Sequence, residues 1–207
     1  MILNRDHFIL KIADTEVELV AAQRLRYRVF VEEMGARPAF NSVMKQEADA
    51  FDPYFDHLVL KDIRINDERE NVVGVYRLMR GDIAAAGPGF YSAGEYHLSK
   101  ISATGRRLVE LGRSCLDAQY RGGLALHLLW QGVADYVIKH DIELLFGVAS
   151  FVGTDTNYYA DALSFLYENH LAPASLRVTA RDSGNVSMRI KNINKIDRCR
   201  AVCQIPT

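Results

Sequence analysis

The segment from residue 108 to residue 140 constrains the fold more than any other part of the chain. It begins with the strand-like run Leu-Val-Glu-Leu-Gly-Arg-Ser-Cys-Leu-Asp at residues 108–117, followed by a turn that contains Gly122 and Gly123. A helix is predicted after this turn, from about Leu124 to His140. A helix that starts at a glycine turn presents free backbone N–H groups, which favour a bound phosphate. The segment therefore predicts an α/β domain with a phosphate-binding turn.

Strands and helices alternate through the rest of the chain. Thr15 and Glu18 form a capping-box pattern at the start of a first helix, which ends at Gly35. The other predicted elements are strands at 7–13 and 144–150, hairpins at 57–80 and 174–190, an ordered glycine-rich loop at 81–96 and a helix at 155–170. A chain of 207 residues has room for one such domain, so a single domain is predicted over residues 1–207.

Charge and cysteine content exclude several classes of protein. Twenty-five basic and 26 acidic residues leave a formal net charge of −1, which does not suit a general nucleic-acid binder. The cysteines, Cys115, Cys199 and Cys203, include no CxxC pair and lack a histidine at zinc-ligand spacing, so no metal site is predicted. The longest apolar stretch, residues 124–138, is interrupted by polar side chains and is shorter than the roughly 18 residues of a spanning helix. These features predict a cytoplasmic protein and leave peripheral contact with the inner face of the membrane open.

The run from Glu110 to Cys115 carries the strongest chemical signal. Strict alternation along a strand places Arg113 and Cys115 on one face and Glu110, Gly112 and Ser114 on the other. A bulge at Gly112 would reset that alternation, free a backbone N–H for a thioester carbonyl and bring Glu110 and Arg113 into one cleft. The alternative is a kinked strand with a surface ion pair. The Arg-Gly-Gly turn at residues 121–123 favours acyl transfer.

Several short motifs, in this order along the chain, resemble those of the ornithine N-acyltransferases of ornithine-lipid synthesis, which have the GNAT fold. The matching pieces are residues 26–36 (RYRVFVEEMGA), 55–58 (FDHL), 73–78 (VGVYRL), 89–92 (GFYS), 110–114 (ELGRS) and 120–123 (YRGG). The resemblance implies a central mixed, mostly antiparallel sheet flanked by helices. It also implies transfer of a 3-hydroxyacyl chain from acyl carrier protein to the α-amine of ornithine, which gives lyso-ornithine lipid. The thioester would be a co-substrate, with no tightly bound cofactor.

The acyl-homoserine-lactone synthases are similar in several of the same positions and form the alternative. The matches to their pattern are Arg28, Phe30, Glu47, Asp49, Asp52, Arg77, Glu110 and Arg113. The chain departs from that pattern at Ala36, where those synthases usually have tryptophan. A catalytically silent GNAT-like module that binds acyl thioesters is a third reading, because ornithine acyltransferases usually continue beyond the point where this chain stops.

The two resemblances imply a role for each candidate residue. Glu110 would act as the catalytic base, and Arg77 and Arg113 would orient it or the carboxylate of the acceptor. The acceptor would be bound by Arg28, Phe30, Asp49 and Asp52. The acyl donor would be bound by Gly112, Ser114, Cys115, Gln119, Arg121, Gly122, Gly123 and Leu124.

Two groups of charged residues each have two interpretations. Asp49 and Asp52 form either an acceptor pocket or a solvated acidic loop. The basic residues Lys100, Arg106 and Arg107 form either a surface for acyl carrier protein or ordinary surface charge. The aromatic residues of the glycine-rich loop, Phe90, Tyr91 and Tyr96, are candidates to line the acyl chain.

Overall fold

The computed structural model describes residues 2–37, 42–181 and 185–206. Two compact units are present, the first formed by the chain up to Tyr91 together with Arg106–Gly147, and the second by Ser92–Gly105 with the chain from Val148 onward. The single domain over residues 1–207 stays a prediction. Among the described residues, no helix combines the length and apolar character needed to cross a membrane.

The first unit is built on a six-stranded sheet. Its strands are β1 (Ile2–Arg5), β2 (Phe8–Ile12), β3 (Asp56–Asp62), β4 (Val72–Arg80), β6 (Leu108–Leu116) and β7 (Leu144–Gly147). They lie in the order β1-β2-β3-β4-β6-β7, and every neighbouring pair is antiparallel except β6 and β7. The mixed, mostly antiparallel sheet is thereby confirmed.

Helices cover both faces of this sheet. The helices of the first unit are α1 (Glu16–Arg26), α2 (Gly81–Ala86) and α4 (Leu124–Lys139). Buried side chains of α4 pack with Leu10 and Leu58 in one core, and Ala22 and Leu25 of α1 pack with the opposite face in a second core. Gly132 lets α4 approach the sheet closely, because a Cβ at this position would lie 2.8 Å from a methyl carbon of Leu10.

The second unit contains shorter elements. They are β5 (Tyr96–His97), α3 (Ser99–Ser102), α5 (Ala160–His170), β8 (Thr179–Ala180) and α6 (Arg198–Gln204), with β5 and β8 paired antiparallel. Asp161 connects α5 to later segments of the same unit. Its buried carboxylate accepts hydrogen bonds from Lys191 Nζ (2.6 Å) and from the backbone N–H of Asp197 (3.0 Å). Of the hairpin predicted over 174–190, residues 182–184 lie outside the described residues. The described part contributes only β8, which pairs with β5, so the predicted hairpin pairing is wrong for these residues.

The glycine-rich segment 81–96 also differs from its prediction as irregular loop. It begins with α2 and reaches the first residue of β5. Three consecutive alanines, Ala84 to Ala86, favour a helix here, and the buried Ala84 packs with Phe55 and Met79. Tertiary packing and helix propensity therefore act together against the turn signal of the surrounding glycines.

The start of α1 is fixed by a cluster around Glu18. Thr15 Oγ1 accepts a hydrogen bond from the Glu18 backbone (3.2 Å), and the Glu18 carboxylate accepts one from the Asp14 backbone (3.2 Å). Lys11 and Lys61 donate to the same carboxylate at 3.1 and 2.8 Å. Burial disfavours its charge, but these donors more than offset that effect and lower the pKa of Glu18 to about 2.

This shift predicts a pH-dependent contribution to stability. Because the folded pKa lies below the unfolded value of 4.5, the contribution is complete above pH 4.5 and is lost as pH falls toward 2. Glu18→Gln is expected to lower the free energy of unfolding by about 1–3 kcal/mol at pH 7. Urea unfolding between pH 7 and pH 3 should show the difference from the parent narrowing on the acid side, whereas Glu16→Gln, exposed in the same turn, should show little difference. A pH-independent difference for Glu18→Gln would contradict the assignment.

Candidate active site

The centre of the candidate site is a β-bulge in β6. Arg77 of β4 pairs with Gly112, and Val75 pairs with Cys115, so β6 carries one extra residue between the two pairs. Arg113, within the bulge, has a φ of +50°, a left-handed conformation that is uncommon for residues other than glycine. The predicted bulge at Gly112 is present, although the strained residue is Arg113.

The bulge decides which side chains share a face of the sheet. Residues directly opposite in an antiparallel pair lie on the same face, so Glu110 shares a face with Met79 and Gly112 shares one with Arg77. Cys115 returns to this face opposite Val75. The strict alternation that separates Glu110 from Cys115 is therefore wrong, because the extra residue shifts the pattern by one position.

The left-handed conformation of Arg113 is supported by contacts of its guanidinium. Nε donates to Glu47 Oε1 (3.0 Å), Nη2 donates to Asp49 Oδ2 (3.3 Å), and the guanidinium carbon lies 5.1 Å from the centre of the Tyr91 ring. Burial opposes the charge, but the Glu47 carboxylate more than offsets it and raises the pKa of Arg113. Contacts to three groups thus hold a conformation that costs on the order of 1–3 kcal/mol and is characteristic of functional sites.

Two further arginines, Arg26 and Arg77, lie almost completely buried among the acidic residues of segment 47–52. Arg26 donates from Nε to Glu47 (2.5 Å) and from Nη1 to Asp52 (2.8 Å). Arg77 donates from Nη1 to both oxygens of Asp49 (2.9 Å each) and to Asp52 (2.5 Å). Burial tends to raise the pKa of Asp52, but the two guanidinium groups lower it overall, so this carboxyl is held ionised.

Arg26 was not among the residues predicted from the sequence, which named Arg28. The Arg28 guanidinium points elsewhere, to Glu70 (2.5 Å) and Asp117 (3.8 Å). The chain continues from α1 into a π-helical turn over Tyr27–Glu33, and π-turns are frequent at functional sites. The spacing does not separate the two arginines, because Arg26 lies four residues after the buried Ala22 and Arg28 lies three residues after the buried Leu25.

His57 lies close to this ion-pair network, and Phe30 packs in a hydrophobic core. Phe30 is half-buried and packs against the core on the α1 face of the sheet. His57 pairs in register with Arg77, and its Nε2 lies 3.2 Å from the carbonyl oxygen of Asp52. Burial lowers the pKa of His57, so the ring is neutral at pH 7 and does not add to the positive charge.

Glu110 is buried on the same face of the sheet as these groups. Its Oε2 accepts a hydrogen bond from the Tyr91 backbone (2.7 Å), and only 1% of the residue is exposed. Counting the described groups around the bulge gives three arginines, Arg26, Arg77 and Arg113, against four carboxylates, Glu47, Asp49, Asp52 and Glu110.

The predicted donor turn lies between β6 and α4. Asp117 accepts a hydrogen bond from the Gln119 backbone (3.0 Å), Gly122 has a φ of +76°, and Gly123 precedes the first residue of α4, Leu124. Among the described residues, no side chain caps the start of α4, and a Cβ at either glycine would meet open space. The turn therefore has the exposed helix N-terminus that an anionic group of a donor requires.

The other predicted donor residues have distinct environments. Arg121 donates to the Leu116 carbonyl (3.1 Å) and to Glu33 of the π-turn (2.6 Å), so its guanidinium is already engaged. Ser114 is exposed at the bulge. Cys115 is buried, and burial raises the pKa of its thiol to about 12. A neutral buried thiol is a poor nucleophile, which agrees with a packing role for Cys115.

The predicted carrier-protein residues belong to different units. Arg106 and Arg107 are exposed in the first unit, where Arg107 Nε donates to the Asp141 carbonyl (2.5 Å). Lys100 belongs to the second unit and donates to the Ala174 carbonyl (2.9 Å). Their grouping into one surface stays a prediction.

Comparison with known proteins places this geometry in a family. The family model described as "Acetyltransferase (GNAT) domain" matches residues 25–131, which include the bulge, the buried arginines and the donor turn. The chain is 46% identical over 199 residues to an L-ornithine N(alpha)-acyltransferase of Rhodobacter capsulatus, a match that covers 95% of this chain and 76% of that protein. This chain belongs to the L-ornithine N(alpha)-acyltransferase family. A relative of the same name from Agrobacterium fabrum is 40% identical over 200 residues, covering 95% of this chain and 68% of the relative.

Two solved structures have a fold similar to that of this ornithine N-acyltransferase family member. The AHL synthase LasI superposes with a TM-score of 0.51 at 18% identity, over 70% of this chain and 74% of LasI. FeeM, an N-acyl amino acid synthase from uncultured soil microbes, superposes with a TM-score of 0.50 at 15% identity, over 76% and 77% of the two chains. The GNAT-like fold predicted from the sequence is confirmed.

Proposed function

We propose that the chain transfers a 3-hydroxyacyl group from acyl carrier protein to the α-amine of ornithine, which gives lyso-ornithine lipid. The observation that carries this proposal is the bulge in β6, with the Glu110 carboxylate on one side and the anchored Arg113 on the other. The parallel pairing of β6 with β7 ends at Leu111 and Gly147, immediately before the bulge. The backbone N–H groups from Gly112 onward are therefore candidates to bind a thioester carbonyl along this edge.

The proposed reaction is a direct transfer. The acceptor amine attacks the thioester carbonyl, and the negative charge that develops on the carbonyl oxygen is stabilised by a backbone N–H of the bulge. Glu110, directly or through water, accepts the proton that the amine loses. The C–S bond then breaks, the thiolate leaves with the carrier and takes up the proton that Glu110 accepted, directly or through water, and an amide bond remains on the acceptor.

Carboxylates beside the bulge favour a cationic acceptor. The carboxylates of Glu47 and Asp49, which contact Arg113 of the bulge, can also attract an amine. Asp49 and Asp52 are fully engaged with arginines, and Asp49 is the more exposed of the two at 12% of its side chain. We therefore assign ornithine selection to these carboxylates, and chiefly to Asp49, the more exposed of the two aspartates.

We place the reaction in the cytoplasm, next to the inner face of the membrane. The product carries a long acyl chain, and each buried CH₂ adds about 0.8 kcal/mol to the partitioning of such a chain into a bilayer. An enzyme that releases its product at that surface avoids exposing the chain to water.

The function is tested by identifying the product by mass spectrometry. The purified chain is offered 3-hydroxyacyl carrier protein with ornithine, with other amino acids and with S-adenosylmethionine in parallel reactions. N-acylornithine supports the proposal, whereas a homoserine lactone would assign the chain to signal synthesis. The absence of any acylated amine would favour a binding module without catalysis.

The donor gives a separate prediction. If the exposed Arg106 helps to receive the acidic surface of a carrier protein, Arg106→Glu is expected to raise the KM for acyl carrier protein about 5-fold or more at low salt, with kcat nearly unchanged. Added salt should reduce the difference. The matched control is Arg69→Glu, another exposed arginine of the first unit. Equal use of acyl-coenzyme A, unaffected by Arg106→Glu, would contradict a carrier-protein donor.

A further inference from the structure

We infer that Tyr91 is a positioning residue, which holds Glu110 and Arg113 in their working arrangement on the two sides of the bulge. This inference rests on the proposed acyl transfer. The Tyr91 backbone N–H donates to Glu110 Oε2 (2.7 Å), and the Tyr91 ring lies under the Arg113 guanidinium at 5.1 Å. One residue therefore contacts both side chains that flank the bulge.

Tyr91 is itself fixed by a closed set of contacts. The Phe51 ring meets the Tyr91 ring edge-on with 5.4 Å between centres, and the Phe51 backbone donates to Asp49 Oδ1 (2.9 Å). The other oxygen of Asp49 accepts a hydrogen bond from Arg113 (3.3 Å). Asp49, Phe51, Tyr91 and Arg113 thus form a ring of contacts, in which a shift of one member moves the others.

The two contacts of Tyr91 act on different parts of the chemistry. A backbone N–H bonded to Oε2 restricts the rotation of the Glu110 carboxylate. A base that is displaced by about 1 Å can lose 100-fold in rate, so this restriction matters for kcat. The ring contact keeps the Arg113 side chain in place and supports the left-handed backbone of the bulge.

The two contacts can be removed separately. Tyr91→Phe keeps the ring and the N–H and removes only the hydroxyl, which also interacts with Arg113. Tyr91→Leu removes the ring with its hydroxyl and keeps the N–H, and Tyr91→Pro removes the N–H as well. Proline is tolerated at the start of a helical turn, and Tyr91 is the first residue of the 3₁₀ turn Tyr91–Gly94. The expected loss of kcat is less than 3-fold for Phe, roughly 10-fold for Leu and roughly 100-fold for Pro, with the KM of donor and acceptor unchanged.

Double variants separate positioning from damage to the fold. If Tyr91 acts through its two partners, Tyr91→Pro should cost only the roughly 10-fold of the lost ring contact in a Glu110→Gln background, and Tyr91→Leu should cost less than 3-fold in an Arg113→Lys background. Single-turnover product formation, followed by mass spectrometry and divided by the folded fraction, gives the rates. Tyr54→Leu, at an aromatic residue 40% exposed in the same unit, serves as the control and should keep the parental kcat.

The outcomes distinguish this inference from the function on which it rests. Full additivity in both double variants, or parental kcat in Tyr91→Leu and Tyr91→Pro, would overturn the positioning role while the parent enzyme still acylates ornithine. If Tyr91→Pro does not fold, Tyr91→Leu and the double variant Tyr91→Leu/Arg113→Lys are sufficient to test the positioning role. A parent that acylates no amine would instead overturn the proposed function and this inference with it.

Discussion

Glu110→Gln is expected to lower kcat by roughly 100-fold or more, with the KM of the acyl donor almost unchanged. The amide has nearly the same shape as the carboxylate and can still accept the Tyr91 hydrogen bond, but it cannot take a proton from the amine. The change also removes one carboxylate from the site, so weaker binding of a cationic acceptor should accompany the loss of turnover. Steady-state kinetics with both substrates varied, together with a thermal unfolding curve, measure these effects.

A matched control separates loss of the base from loss of a buried carboxylate in general. Glu18→Gln makes the same change at another buried glutamate of the first unit, where the carboxylate is held by lysines. This variant should be less stable than the parent and should keep the parental kcat. If Glu110→Gln folds normally and turns over at the parental rate across the pH range, Glu110 is not the base, and a water bound by backbone carbonyls becomes the better candidate.

The elements around the donor turn could be predicted from the sequence because their signals are local. A strand, two adjacent glycines and an apolar helix fix β6, the turn and α4 within a few residues. The kink at Gly112 was also recognisable, since a glycine inside a strand commonly marks a bulge. The resemblance of short motifs to those of the ornithine N-acyltransferases predicts the GNAT fold, and the comparisons confirm it.

The side chains that complete the site could not be chosen from local signals alone. Arg26 and Arg28 are two residues apart in the same motif, and only the π-helical turn and the burial of one helix face decide which of them meets Glu47 and Asp52. The proposed role of Tyr91 includes a hydrogen bond from its backbone N–H to Glu110. The amino-acid sequence does not indicate which backbone N–H makes such a bond. Both contacts join segments more than 15 residues apart, so they depend on tertiary structure.

The buried ion pairs around Arg26 and Arg77 are better explained by geometry than by stability. Removing a charge from water costs several kcal/mol, and a buried pair often recovers little more than that cost. The geometric effect is clearer, because the network holds segment 47–52 against β4 and the bulge. Each of the two guanidinium groups binds two carboxylates. Arg77 also lies 4.3 Å from the centre of the Phe55 ring, which further restricts its side chain.

This account predicts a large difference between two neighbouring arginines. Arg26→Met is expected to lower the free energy of unfolding by about 3–5 kcal/mol, because it leaves Glu47 and Asp52 with a buried charge that has lost a partner. Arg28→Met removes a partly exposed arginine from Glu70 and should cost about 1 kcal/mol or less. Methionine keeps most of the side-chain length in both variants, so the comparison isolates the charge. Urea unfolding of the two variants beside the parent measures both values.

A second change tests whether the cost of Arg26→Met comes from unpaired charge. Adding Glu47→Gln to Arg26→Met removes one of the two carboxylates left behind, so the double variant should recover part of the stability that the single variant lost. The same Glu47→Gln change in the parent should destabilise, because there it breaks an intact pair with Arg26 and Arg113. Equal stability of Arg26→Met and Arg28→Met would show that the buried pairs around Arg26 do not hold segment 47–52 in place. Arg26 would then contribute through packing alone, and the acceptor side of the site would have to be organised by Arg77 and Arg113.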